Sequence, residues 1–301
     1  MEVLQQAVAQ RAALVRFSVA TISLPDHDRE SAAGAVATAG FEGIEWRVEP
    51  RPGSIRDMMP AHPFLVDHSS SIPLDVDAAV DVAALTSLTG LDFVGLGAYI
   101  ELDDDETLER VFAMARAAGA PQVRLQAPRP GRTGLSYSDL FTRFCAFFER
   151  VEKEAERSGV RALLEIHHRT ICPSAALALR VLERFDPRTV GAIYDVGNLV
   201  WEGFVPHALA LDQLGPYLGH VHVKNAAAVR LAGGGWEHIW TPLEDGLVDV
   251  PGFLALLRDH GYEGWVSIEE LSLDRSPGEA LSHNAAQLRR WGWLPGAGTG
   301  R

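Results

Sequence analysis

The sequence of 301 residues has only two cysteines, Cys145 and Cys172, which are too few to form a disulfide framework. Cys145 belongs to the apolar stretch LFTRFCAFF and is expected in the core. Nothing near Cys172 in the sequence supplies a clear base, which argues against a catalytic thiol.

Long apolar runs are also missing: none approaches the roughly 18 residues of a membrane span. The N-terminal stretch MEVLQQAVAQRAALVR has Glu and Gln where a signal peptide needs an apolar core. Together these absences predict a cytoplasmic protein that does not enter a membrane.

Basic residues are in deficit, with 27 Lys and Arg against 40 Asp and Glu and a formal net charge of −13. Nucleic-acid binders rely on Lys and Arg to displace phosphate counterions, so this composition argues against a nucleic-acid partner. A phosphate-binding P-loop is also missing, since the loop RPGRTG has glycines and arginines without that pattern.

The sequence does contain eight β-rich stretches, from RFSVATI to GWVSIEE, that alternate with helical segments. Strict alternation predicts a parallel sheet covered by helices, and eight units in about 280 residues fit a closed (β/α)₈ barrel. We predict one α/β domain over residues 1–301, with a leader helix over 1–15 and a flexible tail over 295–301. The long connection that contains GGGWEHIW is expected to be a flexible lid.

Four candidate metal ligands each end a different predicted strand. Glu165 follows RALL, Asp195 follows VGAIY, His222 lies in GHVHVKN and Glu269 lies in GWVSIEEL. Barrel strands bring their carboxyl ends to one mouth, where clustered carboxylates require a cation. Three carboxylates and one imidazole predict one divalent metal, with Mn²⁺ the first choice and Mg²⁺, Co²⁺ or Zn²⁺ as alternatives.

Four motifs resemble the sugar phosphate isomerase/epimerase superfamily, whose fold is the xylose isomerase-like TIM barrel. They are LLEIHHR, YDVGNLVWEG, HVHVKN and the closing pattern PLEDGLVDVPGFLALLRDHGYEGWVSIEE. The resemblance implies that Glu165, Asp195, His222 and Glu269 hold one metal. It also implies that Glu165 and Glu269 are the catalytic pair that exchanges a substrate proton through a cis-enediolate.

Two positions depart from the ketose epimerases of that superfamily. Asn198 stands where those enzymes often carry His, and Ala228 stands where they carry Arg, with Arg230 nearby. These departures bear on how the rest of a sugar chain would be held.

Further side chains are predicted to contact substrate because they lie at or near strand ends or follow the motifs above. His167 shares the face of Glu165, since residues two apart in a strand point the same way. The predicted contacts are Glu45, Trp46, Arg47, Arg124, His167, Asn198, Lys224 and Arg230.

The predicted function is a divalent-metal-dependent isomerase or epimerase of a sugar or polyol ketone. The first alternative is a lyase with the same site, such as an inosose or dehydroshikimate dehydratase or a deglycosidase. An endonuclease IV-like phosphodiesterase would need more metal ions and a basic groove, and a non-catalytic sugar-binding barrel would not need all four ligands. A homodimer or homotetramer is an open expectation for the assembly.

Overall fold

The strands form a closed barrel in a computed structural model that describes residues 15–51, 64, 68–131, 134–203 and 205–296. The barrel strands are β1 (Arg16–Ala20), β2 (Gly43–Arg47), β3 (Asp92–Gly97), β4 (Gln122–Gln126), β5 (Arg161–Glu165), β6 (Val190–Asp195), β7 (Leu218–Val223) and β10 (Trp265–Ile268). All pair in parallel, in the closed order β1, β10, β7, β6, β5, β4, β3, β2. This confirms the predicted (β/α)₈ class.

Helices connect the barrel strands and lie outside them. They are α1 (Arg29–Ala39), α2 (Val76–Leu88), α3 (Asp105–Ala118), α4 (Tyr137–Ser158), α5 (Ala175–Leu182), α6 (Leu199–Glu202), α7 (His207–Leu214), α8 (Val250–Asp259) and α9 (Pro277–Arg290), with 3₁₀ turns at Thr21–Ser23 and Gly215–Tyr217. Asp28, Asp75 and Asp104 accept hydrogen bonds from the first turns of α1, α2 and α3. Such caps satisfy amides that have no partner within the helix.

The main hydrophobic core fills the layer between the barrel and its helices. On α4, Phe144, Phe148 and Val151 recur at helical spacing and are buried, and the first two rings meet edge to face at 5.1 Å between centroids. Burying an aromatic side chain of this kind contributes about 1.5–3 kcal/mol. The core therefore fixes the helices and leaves the strand ends free to carry polar groups.

The long connection after β7 is a β-hairpin, where the sequence had predicted a flexible lid. Its strands β8 (Asn225–Arg230) and β9 (Trp236–Thr241) pair antiparallel over six residue pairs. The turn between them uses Gly234 and Gly235 at positive φ, a conformation that glycine adopts without steric cost. The connection is thus an ordered element that stands beside the barrel mouth.

Two predicted segments lie almost wholly outside the described residues. The leader helix over 1–15 is described only at residue 15, and the tail over 295–301 only at residues 295 and 296. Among the helices that the structure describes, none is long and apolar enough to cross a membrane.

Candidate metal centre

Four buried side chains converge at the carboxyl ends of four neighbouring barrel strands. Glu165 ends β5, Asp195 ends β6, His222 lies near the end of β7, and Glu269 directly follows β10. One ligand atom from each of them lies within 4.8 Å of the others. The barrel order places these strands side by side, so the fold brings together residues more than a hundred positions apart.

The ring of His222 presents one bare nitrogen to this cluster. Nδ1 lies 3.7 Å from Glu165 Oε1, 3.8 Å from Asp195 Oδ2 and 3.9 Å from Glu269 Oε2. Buried polar atoms are normally hydrogen-bonded, yet His222 Nδ1 and Asp195 Oδ2 have no hydrogen-bond partner. A divalent cation would satisfy both atoms, and the mixed oxygen and nitrogen donor set suits one.

Glu45 on β2 supports the other side of that ring. Its Oε2 lies 2.9 Å from His222 Nε2 and 3.0 Å from His220 Nε2. Burial works against ionisation of Glu45, but His222 and His220 outweigh it and hold the pKa of the carboxyl well below its usual range. A carboxylate only accepts hydrogen bonds. His222 therefore donates from Nε2, and Nδ1 is the nitrogen that faces the cluster.

Arg124 and Asn198 hold Glu165 in place. Arg124 donates to Glu165 Oε2 from Nε at 2.7 Å and also from Nη2, and Asn198 Nδ2 donates to Oε1 at 3.1 Å. Burial alone would raise the pKa of Glu165, but Arg124 together with His167, His222 and Lys224 keeps the pKa well below the usual range. The backbone amide of Asn198 also donates to Asp195 Oδ1 at 2.9 Å, so one residue orients two candidate ligands.

The Lys224 ammonium is the charge partner of the remaining carboxylates. Its Nζ forms an ion pair with Asp195 Oδ2 at 2.6 Å, in a geometry that is not that of a hydrogen bond. The same Nζ donates a hydrogen bond to Glu269. Burial acts to lower the pKa of Lys224, but Asp195 and Glu269 raise it above its ordinary value. Burial together with Glu165 and Glu269 raises the pKa of Asp195 to about 7 despite Lys224. Protons and a metal ion would therefore compete for this site.

Aromatic rings form a wall beside Lys224. Trp240, from β9 of the hairpin, lies 4.1 Å from Trp201 between ring centroids, and Trp201 stacks on His168 at 4.8 Å. The Lys224 ammonium lies 5.3 Å from the Trp240 ring centroid, within range of a cation–π attraction. His167 stacks on His168 at 4.3 Å, next to the cluster.

An open cavity lies over the other side of the cluster. Its polar lining includes two of the four candidate ligands and three of the predicted substrate contacts, namely His222, Glu269, Glu45, Arg47 and Arg124, together with Thr21 and Tyr99. Both arginines lie against the Tyr99 ring, with each guanidinium carbon 5.1 Å from its centroid.

Two predicted substrate contacts lie elsewhere. Trp46 is fully buried on the helix side of β2, and its indole N–H donates to Thr86 Oγ1 on α2 at 3.0 Å. Strand alternation explains this, since Glu45 and Arg47 occupy the inward face. Arg230 lies exposed at the last position of β8.

Three further residues belong to this region, and two of them, Tyr99 and His168, were not predicted from the sequence. His220 and His222 both contact Glu45. Tyr99 lies against both cavity arginines, and His168 Nδ1 lies 2.8 Å from Asn198 Oδ1. His220 lies two residues before His222 on one strand, so strand alternation predicts that both side chains point the same way. Tyr99 and His168 have no such signal because they lie in loops.

Glu270 follows Glu269 in the chain but points away from the cluster. Its carboxyl accepts a hydrogen bond from Ser272 at 2.6 Å, and burial raises its pKa. The two adjacent glutamates therefore have separate surroundings, as strand alternation predicts.

The chain belongs to the family described as xylose isomerase-like TIM barrel, which it matches over residues 33–291. This confirms the family resemblance proposed from the motifs. Among curated proteins it is similar to inosose dehydratase of Lacticaseibacillus casei, at 23% identity over 141 residues. That match covers 44% of this chain and 47% of the relative, so it spans about half the length of the curated protein.

Solved structures with the same fold include an epimerase and a zinc protein. The 3-keto-D-glucoside 4-epimerase YcjR from E. coli has a TM-score of 0.67 and 18% identity, covering 92% of this chain and 99% of that one. The IOLI protein with a binding zinc atom has a TM-score of 0.68 and 15% identity, covering 93% of this chain and 99% of that one. At these identities the likeness shows the fold alone.

Proposed function

We propose that this protein is a divalent-metal-dependent isomerase or epimerase of a sugar or polyol ketone. The observation that carries the proposal is the bare Nδ1 of His222, which faces Glu165, Asp195 and Glu269 at 3.7–3.9 Å. A cation held by these four residues would polarise the carbonyl of a hydroxyketone and acidify the neighbouring C–H. The epimerase and zinc-binding neighbours support the proposal at the level of the fold.

In this proposal Glu269 and Glu165 carry the proton. In the barrel order, Glu269 lies one strand from His222 on one side, and Glu165 lies two strands from it on the other. Glu269 lines the open cavity, where it can reach a carbon next to the carbonyl. Lys224, hydrogen-bonded to Glu269, would donate to a substrate oxygen that gains negative charge. The Trp201–Trp240 wall would keep water from the reactive intermediate.

A metal-dependent dehydratase is the second candidate, and one structural difference favours it. Both oxygens of Glu165 are held by Arg124 and Asn198, whereas Glu269 faces the cavity. Inverting a centre requires proton transfer on two faces of the substrate, but loss of a β-hydroxyl requires one base and one acid. The similarity to inosose dehydratases over 141 residues supports the same candidate.

Two measurements test these proposals. Metal analysis of the purified protein should find about one divalent ion per chain, and activity on a panel of keto sugars and inososes should disappear with EDTA and return with Mn²⁺. Full activity after EDTA would refute the metal-dependent proposal. Reaction in D₂O then separates the two candidates: solvent deuterium in an intact substrate indicates epimerisation, and a dehydrated product indicates the lyase.

The proposal also covers the type of substrate, the cellular location, the metal and the assembly. The substrate would be a small molecule, the protein would work in the cytoplasm, and nucleic acid would not be a partner, consistent with the net charge of −13. Mn²⁺ remains the first choice for the metal, with Mg²⁺, Co²⁺ and Zn²⁺ as alternatives. A homodimer or homotetramer remains the proposed assembly.

A further inference from the structure

We infer that the substrate carries an anionic group, a carboxylate or a phosphate, which Arg47 binds at the wall of the cavity. This inference rests on the proposed function, because it places the rest of the substrate at the metal centre. It goes further by assigning the chemical class of the substrate.

Arg47 is a buried cation without a carboxylate partner. Its side chain is inward on β2 and only 4% exposed, and among the described residues no ion pair involves it. Nη1 donates to the neutral hydroxyl of Ser71, and Nε is buried with no hydrogen-bond partner at all. A buried guanidinium normally has a counter-charge because its desolvation is costly. The arrangement therefore points to a negative group that the protein itself does not supply.

The surroundings of Arg47 point to a ligand in the cavity. Arg47 lines the same cavity as His222 and Glu269, so a molecule bound at the metal centre can extend to it. Tyr99 packs against the guanidinium at 5.1 Å and limits how far the side chain can move. The planar fork of an arginine then offers two parallel N–H groups, which match the oxygens of a carboxylate or phosphate.

Arg124 lies close by but is already neutralised. It donates to Glu165 through two nitrogens and to the carbonyl of Ala98 at 3.1 Å. Those bonds use its fork to hold a candidate metal ligand. Of the two arginines in the cavity, Arg124 already has a carboxylate partner, whereas Arg47 has none among the residues that the structure describes.

The charge of the whole cluster favours the same conclusion. When a metal is bound through a neutral His222, four carboxylates (Glu45, Glu165, Asp195 and Glu269) surround three cations (Arg47, Arg124 and Lys224). A divalent ion would turn the resulting single negative charge into a single positive one. An anionic group on the substrate would offset that positive charge, and charges attract strongly in a site of low dielectric.

Three matched ketones test the inference: dihydroxyacetone, dihydroxyacetone phosphate and hydroxypyruvate. All carry a hydroxymethyl ketone, and they differ in having no charge, a phosphate or a carboxylate. Their binding to the metal-loaded protein is measured by calorimetry for wild type, Arg47→Gln and Arg110→Gln. Arg110 is an exposed arginine on α3, so its variant controls for a general loss of positive charge.

At least one anionic ketone should bind wild type more tightly than dihydroxyacetone. Arg47→Gln should remove that advantage, a loss of about tenfold or more, without changing the affinity for dihydroxyacetone or the metal content. Arg110→Gln should behave as wild type. Which anion binds better separates a phosphate from a carboxylate substrate.

No preference for either anion in wild type, or an equal preference in Arg47→Gln, would overturn the inference. Metal content, measured on the same samples, keeps this result separate from the proposed function. A protein that holds its metal but prefers the neutral ketone contradicts only the anionic substrate. A protein that holds no metal contradicts the proposed function, and the three ketones then test Arg47 by themselves.

Discussion

Glu45 and His222 are joined by a hydrogen bond of 2.9 Å between Oε2 and Nε2. The bond links β2 to β7 across the barrel interior and fixes which nitrogen of His222 faces the cluster. Carboxylates that orient a metal-binding histidine also raise its basicity. Glu45 therefore acts on the candidate centre through His222, as a positioning residue.

Glu45→Gln should weaken metal binding about 10–100-fold. Glutamine keeps the shape of the side chain but removes the charge that stabilises the Nε2–H tautomer. Competition with a chelator measures the metal affinity, and Glu49→Gln, an exposed residue just beyond β2, is the matched control. An affinity equal to that of wild type would show that Glu45 has only a packing role.

The adjacent glutamates should respond differently to the same substitution. Glu269→Gln should reduce turnover at least a hundredfold, because general acid–base groups contribute about 10²–10⁴-fold. Glu270→Gln should retain most activity, since burial already raises the pKa of Glu270 toward its neutral form and it points away from the cluster. The rate constant for proton exchange in D₂O measures both. Similar losses in the two variants would argue against Glu269 as the proton carrier.

Lys224→Met should make the protein more dependent on metal. Lys224 is the near counter-charge of Asp195 and Glu269, and breaking a buried ion pair costs about 3–5 kcal/mol. A bound cation can replace that charge, so metal should recover much of the loss. Thermal unfolding with Mn²⁺ and with EDTA should show a larger difference in Tm for the variant than for wild type. An equal difference in Tm for the variant and wild type would contradict the idea that a metal ion can replace the charge of Lys224.

Acid should destabilise the fold through His68 and His168. Burial is the main cause that lowers the pKa of each to about 4, whereas an unfolded histidine titrates near 6.5. The unfolded chain therefore binds more protons between these values, and stability falls as pH drops from about 6.5 to about 4. The expected slope is about 1.4 kcal/mol per pH unit for each histidine.

Urea unfolding at several pH values measures that slope, and His168→Gln should remove about half of the part due to these two residues. Between pH 7.5 and 9 neither histidine titrates, so wild type and variant should show parallel curves there. A variant with the full acid slope would exclude His168 as a source.

Much of the fold could be predicted from the sequence because the spacing of apolar residues changes clearly between strands and helices. Polar residues follow aliphatic runs at the ends of β5, β6, β7 and β10, and this pattern predicts the ligand cluster. The side of β2 on which Trp46 lies was also predictable, because strand alternation puts Trp46 on the opposite face from Glu45 and Arg47. Applying that rule to β2 would have placed Trp46 among the helices.

Other features depend on contacts between distant segments. The pairing of Arg124 with Glu165 joins β4 to β5, and the wall formed by Trp201 and Trp240 joins α6 to the hairpin. No local pattern specifies such a pair. The hairpin itself has a local signal, the glycines before WEHIW, but its length suggested an irregular loop.

The β8–β9 hairpin pairs its backbone within itself, so its ladder does not depend on hydrogen bonds to the barrel strands. It contributes Trp240 to the wall and none of the four candidate ligands. A hairpin of different length or composition could therefore be grafted between β7 and α8 while the ligand cluster stays intact. For protein engineering, the barrel can be kept unchanged to preserve the candidate ligands. The hairpin can be varied to alter which substrates the site accepts.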